Sequence, residues 1–276
     1  LTAPQPPAPA RAMTGGLLGP NARNAWRAKA GEVSLLRPVR PRRPLTVEAL
    51  PQRVTLDLSA TALVIVDMQN DFCAGDGWLA GIGVDVSPAR APIPVLGGLL
   101  PALRAAEVPV VWLNWGNRPD LANLPPGVLH VYDAEATGGG IGTPLPSGAG
   151  RVLERGSPSA GIVAPLAPEE GDLHVAKYRM SGFQDTELDS VLRNLRVDSL
   201  LFAGVNADQC VLATLMDAAN LGYDVLLVEE AVATTSPAYC LDATLYNVRQ
   251  CFGFTLTATA LAAALSAPAP APPGEG

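Results

Sequence analysis

Three apolar runs in this chain of 276 residues end on residues of unlike chemistry. TALVIV runs into the carboxylate of Asp67, and LHVA runs into the ammonium of Lys177. DSLLFAG leads through the five-residue loop VNADQ to the thiol of Cys210. A carboxylate beside a thiol can take its proton and later hand it to a leaving amine. A lysine beside both keeps the carboxylate ionised and favours the thiolate. The run after Cys210, VLATLMDAANLGY, reads as a helix. The thiol therefore falls in a first helical turn, where unpaired backbone N–H groups and the helix dipole favour negative charge and a lowered thiol pKa. The same N–H groups can bind the oxyanion of a tetrahedral intermediate.

Each residue alone has an ordinary reading. An Asp at a strand end often serves a turn, a Lys after a strand is often solvated, and a single buried Cys is usually a small apolar filler. Their weight comes from the elements that carry them. Continuous apolar runs at 61–67, 109–115, 171–177, 198–204, 223–234 and the start of 253–265 read as strands. Helical spacing at 93–108, 185–195, 211–223, 236–252 and the end of 253–265 fills the intervals. Strands alternating with helices predict a three-layer α-β-α doubly wound fold, with a mostly parallel six-stranded sheet buried on both faces. In such sheets, sites form outside the carboxyl ends of the strands. Asp67, Lys177 and Cys210 all fall on that edge. The long Gly- and Pro-rich connection 116–171 reads as a wall of the site.

Composition narrows the partners. Hydrophobic residues make up 48% of the chain and charged residues 16%, enough apolar content for a large core. A net charge of -7 argues against nucleic acid and anionic membranes. No run is long and apolar enough to span a bilayer. Four cysteines without a C-x-x-C pair, and two histidines, form no disulfide framework or structural zinc pattern. They place the chain in a reducing, cytoplasmic compartment. Cys240 and Cys251 read as helix-interior fillers, and Cys73 as an unreactive neighbour of the Asp67 site. Residues 1–54 read as an extended Pro/Arg-rich N-terminal arm, 55–265 as the catalytic domain, and 266–276 as a disordered tail.

The segments ALVIVDMQNDFC, VAKYRMSGFQDTELDSVLRNL and LLFAGVNADQCVLATLMDAANLGYDVLLVEEAVATT resemble the isochorismatase-like cysteine hydrolases over about residues 55–260. That resemblance implies an Asp67–Lys177–Cys210 triad hydrolysing amide C–N bonds through a covalent intermediate. It implies a cis peptide at Val205–Asn206 and an oxyanion hole built from the backbone N–H groups of Asn206 and Cys210. It also implies a homo-oligomer, a dimer or tetramer, with the 116–171 segment and the N-terminal arm as contacts. Isochorismatases proper lack the cysteine. Nicotinamidases place metal-binding histidines soon after the Asp, where this chain has none, so no metal and no cofactor is expected.

Two branches resemble the chain further, the ureidoacrylate amidohydrolases through KYRMSGFQDTELDSVLR and the biuret and triuret hydrolases through NRPDLANLP and GIGTPLPSGAGRVLERGSP. Both cleave linear ureides. The middle segment favours the biuret/triuret branch, with a ureidoacrylate or N-carbamoyl-amine amidohydrolase as the alternative. A flat substrate dense in donors and acceptors calls for amide and guanidinium groups and aromatic walls. Asn114, Asn117, Arg118, Arg179 and Gln250 are the polar candidates. Phe72, Trp78, Trp115 and Tyr178 are the walls. A catalytically silent interaction module is the non-enzyme alternative, and it would be expected to have lost a triad member. A redox-sensing thiol would need a resolving cysteine near Cys210.

Overall fold

The computed structural model describes residues 16–267. Six strands form its central sheet: β1 (Thr61–Val66), β2 (Val110–Trp115), β3 (Leu173–Lys177), β4 (Ser199–Gly204), β5 (Asp224–Val232) and β6 (Phe254–Leu256). Their order is β6-β5-β4-β1-β2-β3. Every neighbouring pair is parallel, so the sheet is wholly rather than mostly parallel. All residues of β1 and β4 are buried, as unbroken apolar strands must be when helices cover both faces. The covering helices are α1 (Pro92–Ala105), α2 (Leu188–Leu195), α3 (Leu212–Asn220), α4 (Ala238–Asn247) and α5 (Ala258–Ser266). Side chains such as Ile65, Leu113 and Phe202 are fully enclosed between the layers. Each contributes about 1.5–3 kcal/mol by leaving water.

From β1 the chain steps outward through β2 to β3, then crosses back to place β4 on the other side of β1. The reversal beside β1 is the switch point at which such sheets open a crevice. Gly204 makes it possible. Its φ is +110°, and a Cβ there would stand 2.0 Å from the carbonyl oxygen of Val66. Any side chain would push apart the two strands whose ends carry Asp67 and the Cys210 loop.

The long connection is tied to these strand ends. Gln69 bridges to Ile162 and Asn117 to Glu154, while the Leu153 amide donates to Asp71 Oδ2 at 2.8 Å. Burial raises the pKa of Asp71. Within the connection, Pro126–Tyr132 forms a short helix.

The N-terminal arm is not merely extended. Gly16–Leu18, Trp26–Lys29 and Glu32–Ser34 form an antiparallel three-stranded meander. Pro44–Val47 and Val54–Asp57 pair as a hairpin that crosses the boundary expected at residue 54 and buries Leu45, Val47 and Leu56. Arginines fasten the arm to the edge of the sheet remote from the triad. Arg23 donates to the carbonyls of Ser59 and Glu107, Arg40 to those of Ser59 and Arg196, and Arg43 to that of Ala106. Several of these carbonyls lie just past the ends of α1 and α2, where cations meet the negative end of the helix dipole. Of the expected tail, residues 268–276 lie outside the described residues. Cys251, expected inside, is exposed, and Cys240 is half-buried. No helix among the described residues is long and apolar enough to cross a membrane.

Candidate active site

The three strand-end residues meet. Lys177 Nζ stands 2.8 Å from Asp67 Oδ2 and 3.1 Å from Cys210 Sγ. The side chains of Lys177 and Asp67 are 0% and 1% exposed. Two charges taken this far from water persist only as a pair. Lys177 also donates to the carbonyl of Arg179 at 3.3 Å, and its ammonium rests 4.5 Å above the centre of the Trp115 ring. Both contacts favour the cation. Burial alone would lower the Lys177 pKa, but Asp67 and Cys210 outweigh it and hold the pKa raised.

Asp67 is positioned by its backbone as much as by its partner. Its φ of +52° is left-handed, a conformation that costs a non-glycine residue roughly 1 kcal/mol or more. The turn aims Oδ1 at the amide N–H of Trp115, which donates to it at 2.8 Å and to Gln69 Oε1 at the same distance. Gln69, fully buried, returns its Nε2 to the carbonyls of Trp115 and Ala160. Oδ1 is thus fixed by an amide donor, and Oδ2 faces the ammonium.

Cys210 lies in a wide first turn, Ala207–Val211, whose π geometry precedes α3. Such turns are frequent at functional sites. The Val205–Asn206 peptide is cis, matching the expectation. Side chains pin the loop to the exit of β5: Asn206 Oδ1 accepts from the Thr235 amide, and Thr234 Oγ1 donates to Asp208 Oδ1. The amide N–H of Asn206 has no acceptor among the described residues.

Sequence reasoning expected a thiol primed as thiolate, and the site differs. Burial pushes the Cys210 pKa up to about 12. Lys177 pulls it down, and Asp67 adds to the rise. Desolvation thus opposes the pull of the helix terminus and of Lys177 on the thiol proton. Iodoacetamide labelling of Cys210, followed by peptide mapping, should be slow at pH 7. It should accelerate about tenfold per pH unit to pH 10, because the thiolate fraction rises by that factor below the pKa. A plateau by pH 8 would show a thiolate already stabilised at neutral pH.

A model of the family described as Isochorismatase domain matches residues 61–260. The chain belongs to the isochorismatase-like cysteine hydrolases. It is 35% identical to the ureidoacrylate amidohydrolase RutB of Agrobacterium fabrum over 211 residues, which cover 76% of this chain and 92% of that one. An isochorismatase family protein from Desulfovibrio vulgaris superposes with a TM-score of 0.60 at 31% identity, covering 75% of this chain and 99% of the other. The N-carbamoylsarcosine amidase of Thermoplasma acidophilum does so with a TM-score of 0.53 at 25% identity, over 71% and 94%.

The other residues expected at the site of this isochorismatase-like chain divide. Asn114 is half-buried with Oδ1 unpartnered, Trp115 is buried with Nε1 unpartnered, and Asn117 is fully buried with both side-chain atoms unpartnered. Buried polar atoms left unmatched cost about 1–3 kcal/mol each. Phe72 packs edge-on against Trp78, and Trp78 against Tyr132, with ring centres 6.2 and 5.1 Å apart. Cys73 is buried, with its pKa pushed up to about 12 by burial and then by Asp67, which fits an unreactive neighbour.

Three candidates already have partners within the chain. Arg118 is exposed and forks onto Asp120, two residues away. Tyr178 donates its hydroxyl to the carbonyl of Asp185, and its ring lies under Arg179. Arg179 itself is held by the Asn123 carbonyl and by Asp185. Gln250 is exposed in the turn Val248–Phe252 that closes α4, with no hydrogen-bond partner among the described residues.

Sequence reasoning missed one neighbour of the thiol. Met180 Sδ lies 3.7 Å from Cys210 Sγ. The nearness of Met180 to Lys177 in sequence was the only available signal. The Tyr132 phenol has its pKa raised by burial, then by Cys210 and Asp67. Among the described residues, no three His, Cys, Asp or Glu side chains converge as a metal site. A cleft of about 380 Å³ between Arg40, Arg196, Asp198 and Tyr223 shares no residue with the triad.

Proposed function

We propose that this chain is an amidohydrolase that opens a C–N bond of a small linear ureide, of the triuret or biuret type, through a covalent Cys210 intermediate. The observation that carries it is Lys177 Nζ set between Asp67 Oδ2 and Cys210 Sγ at 2.8 and 3.1 Å. Asp67 takes the thiol proton as sulfur bonds to the carbonyl carbon, and the oxygen becomes an oxyanion facing the Asn206 and Cys210 amides. Collapse breaks the C–N bond, and Asp67 gives its proton to the departing nitrogen, which leaves as ammonia. Water, deprotonated by Asp67, then attacks the thioester-type carbonyl. The sulfur leaves and regains its proton, and the acid product is a carbamate that can lose carbon dioxide unaided. No cofactor enters this cycle.

The choice of a neutral ureide rests on charge. Lys177 is committed to the triad, and Arg118 and Arg179 are paired with Asp120 and Asp185. That leaves neither arginine free to anchor a substrate carboxylate. The unpartnered Asn114 and Asn117 side chains and Trp115 Nε1 offer the neutral donors and acceptors that –NH–CO–NH– groups match. The second reading, a ureidoacrylate or N-carbamoyl-amine amidohydrolase, is favoured by the names of the relatives.

Ammonia release from triuret, biuret, ureidoacrylate and N-carbamoyl amino acids separates the two. The neutral ureides should show kcat/KM at least about tenfold higher, worth about 1.4 kcal/mol of transition-state binding. Arg118→Ala should change no substrate more than about twofold, as expected of an exposed pair. Preference for the carboxylate-bearing compounds, lost in Arg118→Ala or Arg179→Ala, would move the chain to the second reading.

A further inference from the structure

Given the ureide reading above, we propose that Asp71 is a positioning residue, acting through Leu153 to hold Asn117 against the substrate. Asp71 stands in the turn Asn70–Cys73, just past the strand that runs into Asp67, and is fully buried. Its Oδ2 accepts from the Leu153 amide at 2.8 Å. The Leu153 carbonyl in turn accepts from the Asn117 amide at 2.9 Å, and the Asn117 carbonyl accepts from the Arg155 amide at 3.0 Å. Two hydrogen bonds thus run from a buried carboxylate to the backbone of Asn117. Leu153 has a left-handed φ of +55°. A non-glycine residue keeps that conformation only where its surroundings fix it.

Asn117 lies two residues past Trp115, whose ring carries the Lys177 ammonium. Between them, the Gly116 amide donates to the Lys177 carbonyl at 2.8 Å. The Asn117 side chain is fully buried with Oδ1 and Nδ2 both unpartnered. An –NH–CO–NH– group supplies the donors and acceptor that such an amide lacks. The match helps binding only if the Asn117 backbone is fixed beforehand. Asp71 is the residue of its turn that can fix it. The other bonds from this turn to the long connection, made with Met68, Gln69, Asn70 and the Asp71 amide, all fall between Pro158 and Val163. They tie the connection to the sheet without touching Leu153. A carboxylate also accepts a backbone N–H about twice as strongly as a neutral group. Burial raises the Asp71 pKa and the Leu153 amide opposes the rise, which fits a carboxylate kept for that bond.

Initial rates of ammonia release from biuret test this in Asp71→Ala, Asn117→Ala and the variant carrying both. Asp71→Ala removes the acceptor for Leu153. It should raise KM about tenfold with kcat within about twofold of wild type, as expected of a lost binding contact. Iodoacetamide should label Cys210 at the wild-type rate, because the triad is untouched. Asn117→Ala should raise KM at least as much. Because Asp71 acts through Asn117, adding Asp71→Ala to Asn117→Ala should raise KM by less than about a further twofold, whereas independent roles would multiply. Should Asp71→Ala fold poorly, Asp71→Asn keeps an oxygen for Leu153, and its KM should stay within about threefold of wild type. Full multiplication of the two KM changes, a loss confined to kcat, or a tenfold KM rise in Asp71→Asn would overturn the proposal. The same cycle applies to any compound of the panel that is turned over, since each carries a carbamoyl-amine group for Asn117. Turnover of the carboxylate-bearing compounds alone would therefore sink the ureide reading and still decide the role of Asp71.

Discussion

Replacing Cys210 with serine is expected to lower ureide hydrolysis by at least about a thousandfold while leaving the fold intact. A hydroxyl at this position has a much higher pKa than a thiol. The burial that already pushes Cys210 up to about 12 acts on any anion placed there. Asp67 therefore cannot generate a useful serine alkoxide. The side chains have nearly the same volume, so thermal unfolding should move by no more than about 2 °C. Steady-state ammonia release checks the rate, and a melting curve checks the fold. A serine variant within tenfold of wild type would mean that the sulfur is not the nucleophile.

The second large effect is on stability. Lys177→Met leaves Asp67, 1% exposed, without its cation. Removing one member of a buried pair costs about 3–5 kcal/mol, which for a domain of this size lowers Tm by about 10 °C. Asp67→Asn/Lys177→Met removes both charges and should recover most of the Tm without recovering any activity. Melting curves of the two variants decide this. Equal Tm losses in the single and double variants would show that Lys177 matters for packing rather than charge.

The placement of Asp67, Lys177 and the Cys210 loop on one edge was legible in the sequence, because a parallel sheet sends every strand's carboxyl end to the same side; their meeting depends on the strand order that sets β1 between β4 and β2. The ionisation of Cys210 was not legible. A helix terminus can be read from sequence, but the burial that opposes it depends on the packed site. The pairing of Arg118 was legible in principle, because Asp120 lies two residues on, within reach of a local fork. Gln250 and Tyr178 were placed by helix and loop positions that say nothing of which way a side chain turns. Met180 approaches the thiol through a contact set by tertiary packing. The N-terminal meander was hidden because its strands are three or four residues long and sit in a Pro/Arg-rich composition that reads as extended chain.

The central claim is covalent catalysis by Cys210. Acid-quenching wild-type enzyme during turnover of biuret or triuret, followed by peptide mass spectrometry, tests it most directly. The predicted result is an acyl adduct confined to the peptide bearing Cys210, formed within the first turnover and cleared when substrate is exhausted. Steady turnover with Cys210 unmodified at every quench time, and with the serine variant still active, would contradict it.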